Sequence, residues 1–138
     1  MERFLFKSLE HVTRIFPSVY SSRQKKGSFH FSIAAERSTI VAVGLNQPDR
    51  PNAKAVHFAR QLGFKQKPYL YIHAEEDMIS KLIGMDRLHS SLKIVILRMN
   101  KWGKLCESQP CRNCKTILDA YGLNRIYYST REGNIESA

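Results

Sequence analysis

No stretch of this 138-residue chain approaches the roughly 18 consecutive apolar residues that a membrane-crossing helix needs. The N-terminal cluster Phe4-Leu5-Phe6 is too short, and too soon interrupted by charge, for the hydrophobic core of a secretion signal. The chain is therefore expected to be soluble and cytoplasmic, with no membrane partner. Cysteine is scarce, at three residues, and an odd count argues against the disulfide framework of a small secreted protein. Repeats, low-complexity tracts and Gly/Pro/Ser linkers are also missing, so residues 1–138 read as one domain, with enough apolar residues (43%) for a real core.

Acidic residues are few as well: 12 Asp/Glu face 22 Lys/Arg, a formal net charge of +10. Residues 1–70 hold 12 of the bases against 4 acids, whereas residues 71–138 hold 10 against 8. A surplus of this kind attracts phosphate-bearing partners, from one nucleotide to a nucleic acid strand, and also keeps an ordinary surface solvated. Lys25, Lys26, Arg50, Lys54, Arg60, Lys65 and Lys67 are the bases in question.

Hydrophobic spacing gives a coarse order of elements. Leu5, Leu9, Val12 and Phe16 predict an amphipathic helix over residues 2–16 that Pro17 ends, with Ser18 to Gly27 as a basic loop. Phe29, Phe31 and Ile33 predict a half-buried strand, and Ile40 to Val43 an inner strand paired to it as an antiparallel hairpin. A short helix is expected over Ala53 to Leu62, and another over Ile72 to Ile83 that Gly84 stops. Leu92 to Leu97 reads as a strand, Asn100 to Lys104 as a turn, and Ile117 and Leu118 as the buried face of a helix capped by Gly122. Arg125 to Ser129 is a further strand. Thr130 to Asn134 then forms a tight turn, and too little chain follows for a helical crossover, so an antiparallel terminal hairpin is expected.

Against this background two short motifs stand out: His73-Ala74-Glu75, and Pro110-Cys111-Arg112-Asn113-Cys114. Either alone is weak, since Cys-x-x-Cys also occurs in redox sites and zinc ribbons. The pair should arise by chance in roughly one chain in ten thousand of this length. One imidazole and two thiolates supply three zinc ligands, His73, Cys111 and Cys114, and leave a fourth position open, as catalytic sites do. Both ligand groups are expected in first turns of helices, where the macrodipole favours thiolates. Glu75, two residues from the histidine, is placed to carry protons rather than to ligate. Zinc in such a site brings a water toward ionisation near neutral pH, and the expected reaction is hydrolytic loss of an exocyclic amine.

These residues resemble the signature of the zinc-dependent cytidine and deoxycytidylate deaminase superfamily. The motif match lies in residues 73–75 and 110–114, and the order of elements is similar over about residues 28 to 130. The resemblance implies a three-layer α/β/α sandwich with a mixed sheet of about five strands, and deamination of cytosine in a nucleoside or nucleotide. It also implies substrate contacts by Asn46, which follows the second predicted strand, and by Ala74 and Pro110. Trp102, in a turn before the second motif, is a further candidate for stacking on a base. The family often forms homo-oligomers. Gln109 stands where members that edit transfer RNA adenosines carry an acid, which points away from adenosine. Arg112 and Asn113 stand where free-nucleoside deaminases have a small residue, which leaves the substrate class open.

Two alternatives remain at this stage. Cytosine in single-stranded DNA or RNA would suit the basic first half. A basic nucleic-acid-binding module with structural zinc would need a fourth protein ligand, from Cys106 or from His11, His30, His57 or His89. Cys106 reads more simply as a small buried apolar residue, and Glu76 and Asp77 as first-turn acids that favour the helix dipole.

Overall fold

The computed structural model describes residues 1–22, 29–46 and 73–138. Among these, six strands form one open mixed sheet and three helices lie against it. In chain order the elements are α1 (Arg3–Ser22), β1 (Phe29–Glu36), β2 (Thr39–Leu45), α2 (Ala74–Gly84), β3 (Lys93–Met99), β4 (Leu105–Cys106), α3 (Arg112–Ala120), β5 (Arg125–Ser129) and β6 (Ile135–Ser137). The strand order is β2-β1-β3-β5-β6, with the two-residue β4 paired to β3 off this path. Only β3 and β5 run parallel; the β1–β2 and β5–β6 hairpins are antiparallel, as predicted. The helix expected over Ala53 to Leu62 lies outside the described residues, as do Arg23, Lys25, Lys26, Arg50, Lys54, Arg60, Lys65 and Lys67. Among the described residues no helix is long and apolar enough to cross a membrane.

The two-residue period of the strands divides the interior into two cores. Phe29, Phe31, Ile33 and Ala35 of β1, with Val95, Leu97 and Met99 of β3, pack against Phe4, Leu5 and Val12 of α1. Ala34, Ile94, Ile96 and Ile126 point the other way, onto Met78, Ile79 and Leu82 of α2 and Ile117 and Leu118 of α3. One helix on one face and two on the other make the three layers. β1 is thus buried on both sides rather than half-buried, because α2 covers the face that carries His30, Ser32 and Ala34.

Pro17 does not end α1. The helix continues to Ser22 although proline removes one backbone donor. Aromatic packing accounts for the continuation: Phe16 and Tyr20 flank the Pro17 turn, and their rings lie 5.3 and 5.6 Å from that of Phe29. Gly84, by contrast, is the last residue of α2, one position beyond the expected end at Ile83. The turn that stops this helix uses Asp86, at φ 53°, and an Arg87 N–H bond of 2.9 Å to the Leu82 carbonyl.

The contact that places α2 is made by backbone. A Cβ added at Gly44 of β2 would overlap the Ala74 carbonyl oxygen and stand 2.8 Å from Met78 Cβ. Asp77 Oδ2 accepts the Leu45 N–H at 3.0 Å, and Lys81 Nζ, 3.1 Å from Asp77, donates to the Val43 carbonyl at 2.7 Å. Asp77 is thereby a tie between helix and sheet, more than the dipole-favoured acid that its first-turn position suggested. Gly44→Ala should cost about 3 kcal/mol or more, since backbone has to move to admit the methyl group. Urea denaturation checks this; a loss under ~0.5 kcal/mol would contradict the close approach.

Candidate metal centre

His73 is the N-cap of α2, extended at φ −82° and ψ 159°. Its N–H donates to Glu76 Oε1 at 2.9 Å, and its carbonyl accepts the Asp77 N–H at 3.1 Å. Both sides of the histidine are therefore held, and burial raises the pKa of the Glu76 carboxyl that does part of this work. Glu76, like Asp77, has a definite structural role.

Cys111 is the N-cap of α3, extended at φ −66° and ψ 166°, and its Sγ accepts the Cys114 N–H at 3.4 Å. Pro110 lies just outside the helix. The loop leading in is pinned by two buried hydroxyls: Ser108 Oγ donates to the Ile96 carbonyl at 2.6 Å and accepts the Ser129 N–H at 2.8 Å, while Ser129 Oγ donates to the Cys106 carbonyl at 2.6 Å. This clamp ties the approach to Cys111 to the middle of β3 and the end of β5.

The two helix starts meet. His73 Nδ1 lies 3.1 Å from Cys114 Sγ and 3.8 Å from Cys111 Sγ, and the three ligand atoms all fall within 4.8 Å of one another. Zinc at its usual bond lengths holds N and S ligands about 3.6 Å apart in a tetrahedron, so the set fits such an ion with small adjustments. His73, Cys111 and Cys114 can hold a metal, and this nitrogen and sulfur donor set suits zinc better than magnesium or calcium. Among the described residues no fourth His, Cys, Asp or Glu joins the group. Cys106 sits half-buried on β4 with its thiol toward the Lys104 carbonyl, and His30 lines the neighbouring cleft without entering the ligand set.

The two thiols differ sharply in proton affinity. The hydrogen bond from the Cys114 thiol, helped by His73 and the Cys114 N–H, brings the Cys111 pKa down to about 4 against the opposing effect of burial. Cys114 is pushed well up, first by donating to Cys111 and then by burial. The hydrogen bond with Cys111 raises the pKa of His73.

Glu75, in the first turn of α2, is 5% exposed. Its Oε1 accepts the Ser32 hydroxyl at 3.0 Å, and the nearby carboxylate adds to the rise in the pKa of Cys114. The chain thus brings a carboxylate beside the point where the three ligands converge. A cleft of about 260 Å³ opens there, lined by His73, Ala74, Glu75, Pro110 and Cys111, with Asn46, His30, Ile96, Ser108 and Gln109 completing the wall. It suits a single ring better than a drug-sized ligand, which needs a pocket above about 300 Å³. Asn46 is fastened in place: its Oδ1 accepts the His30 N–H at 3.0 Å. Trp102 is not among the lining residues. Asn100 Oδ1 accepts its N–H at 2.9 Å and shapes a turn that leaves the indole 72% exposed, with Lys101 Nζ 4.7 Å from the ring centre.

Ser32, Ile96 and Ser108 are the residues of the site and its support that sequence reasoning did not single out, while His30 entered only as a possible fourth ligand and Gln109 only as a departure from adenosine editors. For His30 and Ser32 a signal was present: polar residues alternate with Phe29, Phe31 and Ile33 on a strand with both faces covered. Ser108 carried no comparable mark, because its partners lie on distant strands.

Comparison with known proteins is sparse. No family model and no curated protein matches the chain. Among solved structures, it is similar to the crystal structure of dCMP deaminase from the cyanophage S-TIM5 in apo form, with 15% sequence identity and a TM-score of 0.46, covering 90% of this chain and 83% of that chain.

With a pKa of about 4, Cys111 is ionised at pH 6 in protein stripped of metal, and it stands exposed at the cleft. Iodoacetamide at pH 6 should modify Cys111 first, and one equivalent of zinc should slow the reaction at least about tenfold. Peptide mapping reads the order; earlier modification of Cys106, or no effect of zinc, would contradict the ligand assignment.

Proposed function

We propose that this chain is a zinc-dependent hydrolase that deaminates cytosine in a nucleoside or nucleotide, of the cytidine or deoxycytidylate type, to uracil and ammonia. The observation that carries this reading is the convergence of His73 Nδ1 and the Cys111 and Cys114 thiols beside the buried Glu75 carboxylate, at the edge of a cleft of base-like size. Three ligands without a fourth among the described residues favour a reactive centre over a structural one.

Zinc held there would supply Lewis-acid activation of a water molecule, bringing its ionisation toward neutral pH. Glu75 is the proton carrier: it takes a proton from the attacking water and returns protons to the ring nitrogen and to the departing amine. Water adds to the carbon bearing the amine, that C–N bond breaks, and the atoms balance as cytosine plus water giving uracil plus ammonia. Ala74 and Pro110, which both line the cleft, are the contacts proposed for the base, and Asn46 for the sugar. The fixed Asn46 carboxamide supports a positioning role, since its orientation is set before any ligand arrives. The exposed position of Trp102 supports no base contact from the described residues.

The test is ammonia release from cytidine, deoxycytidine, their monophosphates and an unpaired oligonucleotide, with mass change confirming the product. A free nucleoside or nucleotide should be converted. Glu75→Ala should lower kcat by about a thousandfold while one zinc per chain is retained. Equal activity of the variant would remove Glu75 from its role. Turnover confined to the oligonucleotide would move the substrate to single-stranded nucleic acid, and binding without turnover of any substrate would favour a nucleic-acid module.

A further inference from the structure

Ser32 has no packing reason to be serine. It lies at the middle of an inner strand, fully buried, on the face of β1 where the next residue of the alternation, Ala34, belongs to the apolar core under α2. Its hydroxyl donates to Glu75 Oε1 at 3.0 Å across 43 positions of sequence. The carboxylate that receives it is itself 5% exposed, so the bond is sheltered from water on both sides. Ser32 does not line the cleft, whereas Glu75 does. A hydroxyl that reaches the cleft only through a carboxylate can act only through it.

A glutamate used for proton transfer has a weakness that such a bond corrects. The torsion that turns its carboxylate is broad, so neither oxygen has a fixed direction by itself. Tying one oxygen to a rigid strand orders the group before reaction and directs the other oxygen. We propose that Ser32 is a positioning residue for Glu75: its hydroxyl anchors Oε1 to β1 and leaves Oε2 as the oxygen that takes and returns the proton. This assignment rests on the deaminase reading of the site, and concerns a residue that touches neither the ligand group nor the substrate.

Three variants test it in the zinc-loaded full chain, with the substrate identified in the panel above. Ser32→Ala removes the donor; Ser32→Thr keeps it; Ser32→Cys keeps the volume with a poor donor. Loss of a hydrogen bond to a charged group should lower kcat about tenfold or more in the Ala variant, with KM within twofold of wild type and one zinc per chain. Ser32→Thr should recover most of the rate. Ser32→Cys should repeat the loss, and decides the matter if the Ala variant does not fold. A kcat within twofold of wild type in Ser32→Ala, or in Ser32→Cys where only that variant folds, overturns the proposal, as does a loss carried by KM. If wild type converts none of the substrates, the deaminase reading falls separately, and Ser32 is judged from crystal structures of zinc-loaded wild type and Ser32→Ala. The proposal then requires the Glu75 carboxylate to turn while His73, Cys111 and Cys114 stay in place; an unmoved Glu75 overturns it.

Discussion

The Ala74 carbonyl and the Gly44 backbone approach so closely that no side chain fits between them, and the placement of the site follows from that contact. With β2 and α2 touching at Gly44, the N-terminus of the helix is set beside the end of the β1–β2 hairpin. His73, Ala74 and Glu75 then occupy one short stretch, each with a separate direction. Asp77 and Lys81 fasten the next turns to the Leu45 N–H and the Val43 carbonyl. The second half of the site is positioned by a different device, the Ser108 and Ser129 hydroxyls, which tie the loop before Cys111 to Ile96 of β3 and to the end of β5. Two independent anchors, one on each side of β1 in the sheet order, thus bring a histidine and a cysteine pair to one point.

Electrostatics at that point explain how the two cysteines share one task unequally. Cys111 is exposed and accepts hydrogen bonds, so it ionises readily; Cys114 is buried and donates, so it holds its proton. A metal ion would take over the role of those shared protons, with neutral imidazole and two thiolates as its ligands. The carboxylate beside them remains tied to β1 through Ser32.

Much of this was legible in the sequence because the signals were local. His73, Glu75, Cys111 and Cys114 carry spacing that few other arrangements share, and the β5–β6 hairpin followed from the tight-turn sequence Thr130 to Asn134. The number of strands was nearly right; β4 escaped because two residues show no period. Pro17 misled, since its effect on α1 is outweighed by Phe16 and Tyr20 packing on Phe29, a contact between distant segments. Asp86 taking the left-handed position after α2, Asp77 bonding to β2 and Ser108 meeting Ser129 are likewise tertiary facts. Ser32 is an intermediate case: its alternation was visible, and its partner was not.

The central claim is a centre with three protein ligands and one open position. Zinc K-edge X-ray absorption of the metal-loaded chain tests it most directly. The account predicts two sulfur neighbours at about 2.3 Å and two lighter neighbours at about 2.0 to 2.1 Å, only one of them an imidazole nitrogen. A third sulfur, a second imidazole, or a shell that changes when Cys106 is replaced by serine would contradict it.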